Sequence, residues 1–233
     1  MKAGIVGGIG PESTLDYYRT IIHEYRRRTD GPNYPQLVID NIDMSEMLHY
    51  VAEMDLERMS DQLLRSLNHL KAAGADFGAI ACNTAHVVFD HLRERSPIPL
   101  ISIVEETCRY AHHLSCRKVL LTGTSFTMRT NFFQQEFDKY GISSIVPDPE
   151  DQTSIDGIIF PELEEGIVVP EKKDRMLGIC NKLIEHHRID GVVLGCTELP
   201  IMIKAHDLPV TVLNTTRIHI DSIVNTMLDN QSK

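Results

Sequence analysis

Gly78-Ala79-Ile80-Ala81-Cys82-Asn83-Thr84-Ala85-His86 decides the fold, and Gly191-Val192-Val193-Leu194-Gly195-Cys196-Thr197-Glu198-Leu199-Pro200 repeats its pattern. Each is a short apolar run after a glycine, ending at a cysteine followed by small polar residues. Such a run, with no polar alternation, fits a strand buried on both faces, as in parallel sheets. A helix opening directly afterwards makes it the strand of a βα unit. Open α/β sheets bind ligands at the carboxyl ends of their strands. The expected class is therefore α/β, with a thiol delivered to the ligand-binding edge twice.

Working outward, Lys2-Ala3-Gly4-Ile5-Val6-Gly7-Gly8 is matched by Arg117-Lys118-Val119-Leu120-Leu121-Thr122-Gly123. Gly8 and Gly123 lie 115 residues apart, and Cys82 and Cys196 lie 114 apart. A nearly constant offset between two landmarks implies a duplication. It predicts two similar lobes, each a mostly parallel sheet flanked by helices.

Between these landmarks strand and helix patterns alternate. Strands are expected at 2–6, 36–40, 100–101, 118–121, 142–146 and 209–212, besides the two cysteine strands. Pro11 suits a first helical position, and that helix runs to Arg28. Leu56, Met59, Leu63, Leu67 and Leu70 line one face of a helix closed by Gly74. Further helices are expected after the Cys82 strand to Arg95, over 102–114, from Thr127 to Tyr140, and over 153–165, 170–187 and 215–229. Asn41–Met54 reads as irregular.

Composition removes several function classes. The chain has 233 residues, 42% of them apolar, and carries a net charge of −10. That charge opposes nucleic-acid binding, which needs a basic face. Arg26-Arg27-Arg28 is a basic run at a helix end, where it complements the dipole. No run approaches the roughly 20 apolar residues of a membrane span. The N-terminal apolar run, broken by Gly4, Gly7, Gly8 and Gly10, does not read as a signal peptide. Five cysteines without a CxxC spacing point to a reducing, cytoplasmic setting. Cys108, Cys116 and Cys180 read as core.

Two thiols at strand ends leave three chemical readings. They are buried core groups, or Cys82 is a hydrolase-type nucleophile with His86 as its base, or the pair works as opposed acid and base. The second leaves Cys196 with no comparable partner. In the third, a thiolate removes a proton from one face of a carbon while a thiol supplies one to the other. A free thiol of pKa about 8.5 is only roughly 3% ionised at pH 7. Bringing it to about 7 takes on the order of 2 kcal/mol, within reach of a helix N-terminus. Positioned acid–base catalysis contributes about 10²- to 10⁴-fold. The developing carbanion must be stabilised electrostatically through the substrate carboxylate.

Gly7-Gly8-Ile9-Gly10-Pro11, Cys82-Asn83-Thr84-Ala85-His86 and Gly195-Cys196-Thr197-Glu198 together resemble the aspartate/glutamate racemase superfamily, in its aspartate racemase and broad-specificity branch. The resemblance implies a cofactor-independent two-base racemase with its active site in a cleft between pseudo-symmetric lobes, commonly a homodimer. The lobes would be 1–99 plus 210–233, and 100–209. Cys82 and Cys196 would be the bases. Asn83, Thr84, Thr124, Thr127 and Thr197 would hold the substrate carboxylate and ammonium, and Gly8 and Ile9 would offer backbone. His86 and Glu198 would support. An acidic amino acid is implied, aspartate ahead of glutamate. Yet aspartate-specific members carry an Arg after the second strand and a Lys ahead of the equivalent of Gly166. Here Met47 and Glu164 stand there, which leaves broad or neutral specificity open.

Three rivals remain. A dinucleotide enzyme would use the first glycine turn and Asp40, but Gly8-Ile9-Gly10-Pro11-Glu12-Ser13 lacks the third glycine and Pro11 lacks an N–H. A metal enzyme is opposed by His112-His113 and His186-His187, which have no ligand-like spacing, so no metal is expected. A racemase-like binding protein would keep the site and lose turnover.

Overall fold

In the computed structural model, which describes residues 1–29 and 31–229, the first strand, β1 (Ala3–Gly7), is buried at all five positions. Its unit continues through α1 (Pro11–Thr29), β2 (Leu37–Asn41), α2 (Met44–Ala52), α3 (Leu56–Ala72) and β3 (Phe77–Ile80). A 3₁₀ turn (Thr84–Val88), α4 (Phe89–Arg95) and β4 (Leu100–Ile101) follow. All strand pairs are parallel, in the order β2-β1-β3-β4. Side chains alternate across this sheet as a pleated strand requires. Val6 and Ile80 pack with Met59, Leu63, Leu67 and Leu70 of α3. Ala3, Ile5, Phe77 and Ala79 pack on the other face with Tyr17 and Ile21. Leu67, on the α3 face, is fully buried; its truncation to Ala would cost about 2–5 kcal/mol.

The second unit repeats the plan. It runs through α5 (Ile103–His113), β5 (Lys118–Thr122), α6 (Ser125–Arg129), α7 (Phe132–Asp138), β6 (Ser143–Ile145) and α8 (Pro149–Ile158). A π turn (Ile159–Leu163), α9 (Pro170–His187), β7 (Gly191–Leu194), α10 (Leu199–Met202) and β8 (Thr211–Asn214) complete it, and α11 (Thr215–Asp229) starts in this unit and belongs to the first from His219. Its four strands are again all parallel, in the order β6-β5-β7-β8. The α/β class, with a parallel sheet flanked by helices in each unit, thus stands as expected, and each sheet has four strands. β3 and β7, the strands that precede the cysteines, are interior strands buried at every position.

The unit boundaries differ from those expected. One unit holds Met1–Ile103 and the chain from His219 onward; the other holds Val104–Ile218. The first crossing comes after 101 because β4 pairs with β3. Residues 211–214 belong with the second sheet, because β8 pairs with β7.

Three local expectations also change. The segment 41–54 contains α2, capped by Asp43, whose carboxylate accepts from the amides of Ser45 and Glu46 at 2.8 and 3.4 Å. The single helix to Tyr140 is two, interrupted where the Thr130 hydroxyl donates to the Phe126 carbonyl at 2.6 Å. The helix expected at 153–165 begins earlier, at Pro149 behind an Asp148 cap, and gives way to the π turn at Ile159.

Candidate active site

Cys82 stands two residues past the end of β3, and Cys196 two past the end of β7. Both are buried, 9% and 8% exposed, but less completely than Cys108 (0%) and Cys180 (1%). Burial pushes the Cys180 thiol up to about 12 and raises those of Cys108 and Cys116. These three therefore stay protonated and inert near neutral pH.

In the first unit the register of β1 and β3 brings the glycine turn to Cys82. The Ala81 amide donates to the Val6 carbonyl at 3.0 Å, and the Ser13 hydroxyl donates to the Ala81 carbonyl at 3.3 Å. Gly8 has φ of +85°, and a Cβ there would lie 2.6 Å from the Ile42 carbonyl oxygen, so only glycine fits this turn. Its amide donates to the Thr14 hydroxyl at 2.9 Å. Ile9, 6% exposed, packs in the same apolar cluster as Cys82. Gly8, Ile9, Cys82 and Asn83 thus share one sheet edge, and Thr84 opens the 3₁₀ turn there.

His86 does not approach Cys82 as a base. Its Nδ1 donates to the Cys82 carbonyl at 2.8 Å, and its Nε2 accepts from the Ile103 amide at 3.3 Å. A carbonyl can only accept and an amide only donate, so the proton sits on Nδ1 and the ring is neutral. Burial, followed by the neighbouring His219, pushes His86 down to about 3. His219 is likewise neutral. Its Nε2 donates to the Ile101 carbonyl at 3.1 Å, while Nδ1 accepts from the Tyr17 hydroxyl at 2.7 Å. Burial pushes it down to about 4. The hydrolase-type pairing is excluded by this geometry, because both ring nitrogens serve the main chain.

The second unit surrounds Cys196 differently. The Gly195 amide donates to the Thr122 carbonyl at 2.8 Å. A Cβ on Gly195 would sit 2.5 Å from that oxygen. The close approach sets the β5–α6 turn beside Cys196. Thr127 is fully buried, and its methyl would lie 3.4 Å from the same added Cβ. Thr124 caps α6, accepting from the Thr127 amide at 3.3 Å. The Cys196 thiol donates to Glu198 Oε2 at 3.0 Å, and the Thr197 hydroxyl donates to the same oxygen at 3.0 Å.

A model of the Asp/Glu/Hydantoin racemase family matches residues 6–223. The chain belongs to that family. It is also similar over nearly its whole length to individual members. Identity to the broad specificity amino-acid racemase RacX of Bacillus subtilis is 24%, covering 98% of this chain and 99% of that one. The crystal structure of an aspartate racemase homologue from Pyrococcus horikoshii OT3 superposes with a TM-score of 0.86. It is 34% identical, over 98% of this chain and 99% of that one. The Picrophilus torridus aspartate racemase, at 21% identity and TM-score 0.76 over 97% and 94%, shares the fold. As a racemase-family member the chain is an isomerase.

Other residues of this family member fall as follows. Met47 is 1% exposed and packs in the core of the first unit. Glu164 is half-buried, and burial, then Glu198, then Glu165 push its carboxyl up to about 7. Asp40, the residue a dinucleotide site would need, meets His69 at 3.2 Å. Among the described residues no group of three His, Cys, Asp or Glu could hold a metal ion, and no helix is long and apolar enough to cross a membrane. Sequence reasoning missed Tyr17 and His219 behind His86. They lie 202 residues apart, and neither carries a local signal.

Proposed function

We propose that this protein is an amino-acid racemase that works without pyridoxal phosphate, using Cys82 and Cys196 as its two bases. The observation that carries the reading is the equivalence of the two thiols: each lies two residues beyond the third strand of a sheet of the same order. Cys82, as thiolate, takes the Cα proton, and Cys196 delivers its own proton to the opposite face. The substrate is inverted, Cys82 is left as thiol and Cys196 as thiolate, and the opposite enantiomer resets the pair. The proton that Cys196 donates to Glu198 supports its start as the acid.

The carbanion needs charge stabilisation through the substrate carboxylate. Asn83, Thr84, Thr124, Thr127 and Thr197, with the backbone of Gly8 and Ile9, are the groups proposed to hold that carboxylate and the ammonium. His86 and Glu198 support, each at its own cysteine. Aspartate, then glutamate, are the substrates suggested by the family resemblance. Met47 and Glu164, where aspartate-specific relatives carry Arg and Lys, favour a second reading, a broad range as in the RacX name. The proposed setting is a cytoplasmic homodimer.

The test is exchange in D₂O. L- and D-amino acids are incubated with the protein, loss of the Cα–H signal is followed by NMR, and inversion by chiral chromatography. Exchange from both enantiomers of at least one amino acid is expected. Saturable binding of amino acids with no exchange would reassign the protein to a binding role.

A further inference from the structure

The Cys82 carbonyl accepts from His86 Nδ1 at 2.8 Å, and His86 Nε2 accepts from the Ile103 amide at 3.3 Å. Whatever fixes Ile103 therefore helps to fix the peptide next to the sulfur. The strand that leads into it, β4, is an edge strand of two residues, paired with β3 at Leu100 and Ile101. A second histidine takes hold there. His219 Nε2 donates to the Ile101 carbonyl at 3.1 Å. His219 is fully buried in α11, and the Tyr17 hydroxyl donates to its Nδ1 at 2.7 Å. With Nδ1 accepting, the proton of the neutral ring sits on Nε2, facing that carbonyl. The rings also meet: His86 stacks on Phe89 at 4.7 Å and lies edge-on to His219 at 6.4 Å.

Tyr17, His219, the 101–103 segment and His86 thus form one brace, in a single unit, that ends on the Cys82 carbonyl. We propose that His219, with its tautomer set by Tyr17, is a positioning residue for Cys82 that acts through residues 101–103 and His86. The inference rests on the reading of Cys82 as a base of the racemase. A reacting group displaced by about 1 Å can lose about 10²-fold in rate. The substrate is held by other groups, so loss of the brace belongs in kcat and not in KM.

His219→Gln and His219→Asn separate positioning from the filling of space. Glutamine reaches far enough for its amide N–H to donate to the Ile101 carbonyl. Asparagine can accept from Tyr17 but is one carbon too short for Ile101. Both are measured in the full-length protein on the amino acid that the wild type racemises fastest. His219→Asn should lower kcat about 30-fold with KM within about twofold, and His219→Gln should stay within about threefold of wild type. Tyr17→Phe, which releases the tautomer, should lower kcat about fivefold, and it carries the comparison if the asparagine variant does not fold. Hydrogen exchange by NMR reads the brace without turnover. Relative to the Ile42 amide, bonded to the Gly7 carbonyl at 3.0 Å in the same unit, the Ile103 amide should exchange about tenfold faster in His219→Asn than in His219→Gln. Equal losses of kcat in the two His219 variants, or a loss confined to KM, would overturn the positioning role. Absence of racemisation of every amino acid by the wild type would sink the racemase reading alone. The brace is then judged on the Ile103 amide, and equal protection in both variants would overturn it.

Discussion

Two residues past Ile80 stands Cys82, and two past Leu194 stands Cys196, each after the third strand of a parallel sheet with the same strand order. Their immediate chemistry diverges. At Cys196 a carboxylate, Glu198, accepts a hydrogen bond from the thiol itself. At Cys82 the helical-turn neighbour is a neutral imidazole that grips the cysteine's carbonyl and the Ile103 amide. Duplication thus preserved the place of the thiol and not its wiring. One lobe holds a proton on its sulfur through a charged acceptor, and the other positions its sulfur by bracing the backbone. A two-base exchange needs such inequality, since one sulfur must begin with a proton and the other without.

The comparison breaks most visibly at the thiols. Cys82→Ser and Cys196→Ser should each lower kcat/KM for racemisation by about 10³-fold or more, because a hydroxyl is a far weaker acid and base at neutral pH. Circular dichroism and melting temperature should stay near wild type. Retention of most activity by either variant would end the two-base assignment.

The next effect belongs to the first lobe alone. His86 and His219 are held neutral at about 3 and 4, against an ordinary value near 6.5. Between those values the unfolded chain binds protons that the folded chain does not, so stability falls as pH drops below 6.5. Two such rings cost about 2 kcal/mol between pH 6.5 and 5.5. Urea unfolding at pH 7.5, 6.5 and 5.5 should show that loss. The slope should flatten in His219→Gln, which removes one of the two titrations. An unchanged midpoint between pH 7.5 and 5.5 would show that the rings titrate normally.

Much of this frame was legible in the chain. Apolar runs after glycine gave the buried strands, Pro11 opened α1 and Gly74 closed α3 where expected. The spacing of two cysteines exposed the repeat. What escaped had local or distant causes that pattern reading does not weigh. α2 is a nine-residue helix behind the Asp43 cap, short enough to be read as loop although Met47, Tyr50 and Val51 pack in the core. The break before α7 follows a threonine bonding back to its own helix. The Tyr17–His219–His86 group is assembled from both ends of the sequence, so no window contains it. At the candidate site the residue types were readable. The direction of His86, toward main chain and away from sulfur, was not, because it depends on where Ile103 lies.

Glu198 sharpens the comparison at a smaller scale. Glu198→Gln keeps an acceptor oxygen but removes the charge, so kcat/KM should fall about 10- to 30-fold. Free enantiomers have equal energy in water, so kcat/KM must fall equally for L→D and D→L. Only one thiol has lost its partner, however, so kcat and KM taken separately should shift unequally in the two directions. Equal shifts in both parameters would mean that Glu198 acts on the fold of the loop and not on one proton.

The smallest effect is expected where a cysteine resembles the proposed catalytic pair in chemistry and differs in place. Cys180 lies in α9, 1% exposed, with its thiol pushed up to about 12 by burial alone. Its sulfur fills volume in the same apolar cluster that contains Cys196. Cys180→Ala should cost about 1 kcal/mol or somewhat more in stability, the loss expected for a small buried group and the void it leaves. It should leave kcat/KM within about twofold of wild type. Alkylation by iodoacetamide supplies a second reading of the same contrast. Thiols at the strand ends should be labelled in the native protein at neutral pH, and Cys180 only after unfolding, since the thiolate is the reactive form. Native labelling of Cys180 at the rate of Cys196 would show that strand-end placement does not set these sulfurs apart.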